Sequence, residues 1–138
     1  MELVQLDVMY ENEKEKISWF CVVEEYLYLG SNENVYVYDG FKFHWSFTFR
    51  SRVNENNVLY NNGRIYLVSR SKLMILDSQF NILHKTILKE IGMSCKIYYY
   101  KNFIYIIASH ELYRFDVDGN LIFRAENLYS INHVQTFI

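Results

Sequence analysis

Three stretches of this chain can be laid beneath one another: EYLYLGSNENVYVYDGFKFHW (Glu25 to Trp45), GRIYLVSRSKLMILDSQFNIL (Gly63 to Leu83) and FIYIIASHELYRFDVDGNLIF (Phe103 to Phe123). Tyr28, Tyr66 and Tyr105 fall in one column and Asp39, Asp77 and Asp116 in another, and both columns step by 38 and then 39 residues. A fixed period of this length means that one supersecondary unit is repeated. Such a unit cannot bury its apolar face alone, so it must stack on its neighbours. The repeat constrains architecture strongly and activity weakly.

Each copy reads as short strands joined by tight turns. FIYIIA, ELYRF and NLIF are apolar or alternating runs separated by Ser109-His110 and by Asp116-Val117-Asp118-Gly119. Asp39-Gly40 and Asn62-Gly63 are hairpin signals, because a two-residue turn needs positive φ angles that Gly, Asn and Asp tolerate. The Asn62-Gly63 turn aligns with Glu24-Glu25 before it and Lys101-Asn102 after it, which supports the same register. Four strands per unit are expected, with units at 17–50, 55–88 and 94–126 in a single repeat domain spanning 1–138. LKEIGMSC is too short, with a Gly inside, to be expected as a helix.

Two further strands are expected outside the units. ELVQLDVMY alternates, and counting back one period places residues 2–10, with Leu3, Leu6, Val8 and Tyr10, as a last strand. INHVQTFI places residues 131–138, with Ile131, Val134 and Phe137, as a first strand. ENEKEK between residues 11 and 16 reads as a solvated connector.

Composition agrees with strands. Aromatic residues are 18% of the 138, including 13 Tyr and 10 Phe, and such side chains suit a pleated, half-buried surface. The formal net charge of −2 provides no excess of Lys and Arg to neutralise phosphates, so neither nucleic acid nor an anionic membrane is an expected partner. No apolar run approaches the length of a membrane span and the first residues do not have the pattern of a secretory signal, so a cytoplasmic protein is expected. Cys21 and Cys95 lie in strand-like runs without CxxC spacing and read as buried free thiols in equivalent strands of different units.

A period near 40 residues with four strands per unit resembles a β-propeller blade. The third-to-fourth-strand segment is similar to blades of the WD-repeat-like and quinoprotein-like propellers: an aromatic or Leu, an Asp, a short turn, then an apolar strand. Tyr38-Asp39-Gly40 with Trp45, Phe115-Asp116 with Gly119, Leu121 and Phe123, and Leu76-Asp77-Ser78-Gln79 with Phe80 carry the likeness. No Trp-Asp dipeptide or Gly-His pair occurs, so the likeness does not specify a subfamily. It implies an all-β fold, a β-propeller-like array of three four-stranded antiparallel blades with an extra strand at each end.

The two columns have structural readings. A carboxylate opening a turn can accept N–H groups ahead of it, so Asp39, Asp77 and Asp116, with Gly40, Gly63 and Gly119, are expected to set turns. The Tyr column is expected in the core with its hydroxyls satisfied. Asp116-Val117-Asp118-Gly119-Asn120 has the spacing of a calcium loop but lacks the Glu at position twelve and the flanking helices. His44, His84, His110 and His133 lack metal-ligand spacing, although His44 and His84 fall in corresponding fourth strands. No GxSxG, phosphate loop or neighbouring Cys-His pair points to catalysis, and no cofactor is expected.

Propellers close with about four to eight blades, and an open array exposes strand edges and apolar faces. Three units therefore lead to an expectation of self-association through the terminal strands. The function expected is a non-catalytic protein-interaction or scaffolding module whose partner is protein, in the first place itself. The alternatives are a ligand-binding or hydrolytic propeller with a site in a central channel, and a structural subunit of a larger assembly such as a viral one.

Overall fold

In this computed structural model, the protein is described over residues 16–50, 53, 57–69, 72–88, 95–108 and 111–125. The terminal strands expected at 2–10 and 131–138, with Leu3, Leu6, Val8, Tyr10, Ile131, Val134 and Phe137, lie outside these residues. The chain divides into two compact units, Met1–Glu55 and Asn56–Ile138.

The fold is all-β. The first unit holds one antiparallel sheet in the order β1 (Trp19–Val23), β2 (Tyr26–Gly30), β3 (Asn34–Asp39) and β4 (Lys42–Thr48). The second holds β5 (Val58–Asn61), β6 (Arg64–Ser69), β7 (Lys72–Asp77) and β8 (Ile82–Ile87), then β9 (Lys96–Tyr100), β10 (Phe103–Ile107), β11 (Leu112–Asp116) and β12 (Leu121–Ala125). Each sheet is a four-stranded meander, a blade, in which every strand pairs with its neighbours in sequence. No helix of the described residues is long and apolar enough to cross a membrane.

The same irregularity occurs in all three blades. The pairing of third and fourth strands shifts register between Val37 and Tyr38, between Ile75 and Leu76, and between Arg114 and Phe115. An extra residue on the fourth strand, His44, Leu83 or Ile122, is left between the paired positions. Such bulges increase the local twist of an edge strand. Counted through the bulge, Trp45, His84 and Phe123 occupy equivalent positions, so His44 and His84 lie on corresponding fourth strands at positions one residue apart.

In the second unit the two blades pack face to face. Tyr66, Val68, Leu73 and Ile75 of the β5–β8 blade join Ile97, Ile104, Ile106, Tyr113 and Phe115 of the β9–β12 blade in one buried cluster. In the first unit Leu29, Tyr36 and Tyr38 form a smaller cluster with Ile17, Leu27 and Phe43 against it. There Trp19 lies over Gly30, and a Cβ at Gly30 would collide with the indole ring. Only glycine permits that approach.

The cysteines are free and buried. Cys21 lies in β1, whereas Cys95 stands one residue before β9, so the two are not in equivalent positions. The Cys95 thiol donates to the Asn57 side-chain oxygen at 3.3 Å, and this gives the buried Asn57 a polar partner.

Candidate functional site

The turns between third and fourth strands are built in two ways. After β7 and β11, a three-residue loop ends in a residue of positive φ, Phe80 at 64° and Gly119 at 92°. Such loops follow a type I turn with one left-handed residue. Asp77 Oδ1 accepts the backbone N–H groups of Gln79 and Asn81 at 2.9 Å, and Oδ2 accepts the Asn81 side-chain amide at 3.1 Å. Asp116 repeats this with Asp118, Asn120 and the Asn120 amide at 2.9 to 3.0 Å.

These hydrogen bonds favour the ionised carboxylates. The backbone N–H and side-chain amide of Asn81 hold the Asp77 carboxyl below its usual range. For Asp116, burial acts to raise the pKa, but the bonds from Asn120 and from the turn's N–H groups outweigh it and the net shift is downward. The bonding role of Asn81 and Asn120 toward these carboxylates is not among the sequence expectations. The signal was present, an Asn four residues after the Asp in both units.

After β3 the loop has two residues, Gly40 and Phe41, with positive φ at Gly40. Glycine at the first central position is what a type II′ hairpin requires. No N–H four residues ahead folds back over Asp39, which instead pairs with Lys42 across the hairpin. Among the described residues the exposed Asp39 carboxylate has no hydrogen-bond or ion-pair partner, so the turn-bonding role expected for this column is seen at Asp77 and Asp116. Asn62-Gly63 forms the hairpin expected, with positive φ at both residues, and Lys101-Asn102 does the same.

In the second unit the turn after β11 is fastened to the β5–β8 blade. Tyr66 donates to the Val117 carbonyl at 2.9 Å, and Arg64 donates to the same carbonyl at 2.9 Å and to Asp118 at 2.7 Å. Thr86 donates to the Gly119 carbonyl at 3.0 Å, and His84 Nε2 lies 2.8 Å from the Thr86 oxygen. Because the Thr86 hydroxyl proton is committed to Gly119, His84 Nε2 must be the donor of that second bond. A Cβ at Gly119 would lie 2.5 Å from the His84 ring.

Beside this junction is a cleft of about 310 Å³. Asn61, Asn62, Arg64 and Tyr66 form one side, and Tyr99, Asn102 and Val117 the other. The Tyr99 hydroxyl donates to Asn102 at 3.0 Å. The lining combines carboxamides, phenols and an ion-paired guanidinium, which suits a small polar ligand of little net charge. Among the described residues no three His, Cys, Asp or Glu side chains converge as a metal site requires.

The two faces of the β9–β12 blade differ. One is buried in the core cluster. The other carries the transverse row Tyr98, Tyr105, Arg114 and Phe123. Arg114 is only partly covered, with its guanidinium 4.7 Å from the Phe103 ring and 5.9 Å from Phe123. Among the described residues its buried Nε has no hydrogen-bond partner.

The fourth strands are the most exposed. Trp45 on β4, Ile82, Leu83 and Ile87 on β8, and Leu121, Ile122 and Phe123 on β12 are all large, apolar and at least 39% exposed. Among the described residues each of these strands pairs on one side only.

No protein-family model matches the sequence, and no curated protein matches it. Solved structures do. Hsv2 from Kluyveromyces lactis superposes with a TM-score of 0.60 at 14% identity, over 82% of this chain and 38% of that one. BamB from Moraxella catarrhalis gives 0.61 at 15% identity, over 79% and 34%. The Pan2 WD40 domain from Neurospora crassa gives 0.60 at 10% identity, over 82% and 39%. The chain thus spans less than half the length of these structures. Three four-stranded antiparallel meanders and these likenesses together make the fold an array of β-propeller blades.

Proposed function

We propose that the protein is a non-catalytic protein-interaction module made of propeller blades, and that its first partner is another copy of itself. The observation that carries this reading is the set of fourth strands. Among the described residues each has an unpaired hydrogen-bonding edge and large exposed apolar side chains, which a protein partner would cover. The propeller fold supports a binding role only by analogy, because folds of this kind host many functions.

The test is the mass of the protein in solution, by light scattering over a wide concentration range. Association is expected, and removal of residues 131–138, the segment expected to carry Ile131, Val134 and Phe137, should weaken it. A wild-type chain that stays a monomer at every concentration would overturn self-association, and catalytic turnover by the purified protein would overturn the non-catalytic reading.

The cleft lined by Arg64, Tyr66 and Asn102 favours a second reading, a blade pair that holds a small polar ligand. An NMR titration with small neutral polar compounds, sugars and primary amides, tests it. Shifts confined to Asn61, Asn62, Tyr99 and Asn102 are expected, and their absence across the set would reject it.

A further inference from the structure

The repeat relates two faces of this molecule residue by residue. In the β5–β8 blade the row Leu59, Tyr66, Ile75 and His84 crosses the four strands, and Tyr66 and Ile75 belong to the cluster that meets the β9–β12 blade. Tyr98, Tyr105, Arg114 and Phe123 stand at the same positions of the next blade, each 39 residues later. The first row shows what such a face does. Tyr66 donates to a carbonyl of the following blade's third turn, and Ile75 and His84 lie against Gly119 of that turn.

The second row has the same form and belongs to the last described blade of its unit. Among the described residues the Tyr105 hydroxyl, equivalent to that of Tyr66, makes no hydrogen bond. Arg114 replaces Ile75, so the face carries a cation where its counterpart is apolar. No carboxylate among the described residues pairs with it, and Phe103 and Phe123 hold the guanidinium in place. An arginine held among aromatic rings is a composition typical of interface hot spots. An arginine in a closed face also requires an anion, because a buried unpaired charge is costly.

The first blade carries the complementary features. Its face equivalent to Ile97, Tyr99, Ile104 and Ile106 presents Phe20 and Val22, 57% and 60% exposed, beside the partly buried Leu27 and the buried Leu29, whereas Ile97 is 7% exposed in the core. Its turns carry Glu25 and Asp39, both exposed. Glu25 is the repeat equivalent of Asn102, and Asp39 adjoins the turn that corresponds to the one held by Tyr66.

We propose that the Tyr98, Tyr105, Arg114 and Phe123 face of one copy binds the first blade of a second copy head to tail. Arg114 pairs with the acidic turn end formed by Glu25 and Asp39, and Tyr105 donates to a carbonyl of the β3–β4 turn. The proposal rests on the self-association reading and names its contact. A head-to-tail contact between different surfaces closes into a ring when the rotation permits, and two copies would bring six blades together, within the about four to eight of known propellers.

The experiment is a charge-reversal exchange followed by sedimentation velocity, with far-UV circular dichroism to confirm folding. Arg114→Glu alone, and Glu25→Lys with Asp39→Lys in another chain, are each expected to weaken association at least tenfold. An equimolar mixture of the two chains is expected to associate one to one. If the wild type associates and neither variant weakens it, the contact is wrong while self-association stands; a wild type monomeric at every concentration overturns both. Should Arg114→Glu fail to fold, the acidic-turn variant decides alone, since both its positions are exposed: association unchanged in that variant overturns the contact.

Discussion

At the scale of single residues, what matters most is where the backbone has a positive φ and what approaches it. Gly63 has a φ of 80° and open space where a Cβ would go, so Gly63→Ala is expected to cost about 1 kcal/mol from conformation alone. Gly119 adds a steric demand, because His84 and Ile75 occupy that space. Gly119→Ala should cost roughly 2–3 kcal/mol, and urea unfolding of the two variants checks the order. The turn carboxylates make a pH prediction. Asp77 and Asp116 have lower pKa values folded than unfolded, so their contribution is complete above the ordinary carboxylate pKa of about 4 and is lost as pH falls through the lowered folded values. The double variant Asp77→Asn, Asp116→Asn should therefore lose less stability on acidification than the wild type, measured by denaturant midpoints from neutral to acid pH. The cysteines are protected for another reason: burial pushes the Cys21 thiol up to about 11 and raises Cys95 as well. Both should resist a thiol reagent at neutral pH until the protein is unfolded, because the thiolate is the reactive form.

At the scale of strands and turns, the repeat was legible because three physical requirements recur at fixed spacing. Turns need Gly, Asn or Asp, the second strand needs an apolar run around a Tyr, and the third ends in Asp. What differed was local. Two-residue and three-residue loops both follow an Asp, so the column of three aspartates conceals two kinds of turn, which the pairing and the backbone angles separate. All three fourth strands carry the bulge, so it is the extra residue in the loop after β7 that sets His84 out of register with His44 and into register with Trp45 and Phe123, and a shift of one residue reverses which face a side chain occupies. The contact of β8 with the β11–β12 turn depends on Thr86. Thr86→Val, which removes the donor to Gly119 and the acceptor for His84, should cost about 1–2 kcal/mol, whereas Thr86→Ser should retain most stability in thermal and urea unfolding.

At the scale of the molecule, every member of the larger buried cluster lies within residues 56–138. Expressed separately, this segment is expected to give a β-type circular dichroism spectrum and a cooperative thermal transition; a fragment without a transition would show that its core needs residues 1–55. The sequence alone determined that the chain repeats a four-stranded unit, because period, turn chemistry and strand pattern are local properties that a single chain displays in order. It did not reveal that Arg64 and Tyr66 reach the turn 51 to 54 residues later, that Gly119 is confined by His84, or that Arg114 lies between two phenylalanines on the face opposite the core. Those facts depend on which face of a strand each side chain takes and on which blade lies against it. Only tertiary packing decides that, since residues far apart in the chain have no spacing by which to be recognised.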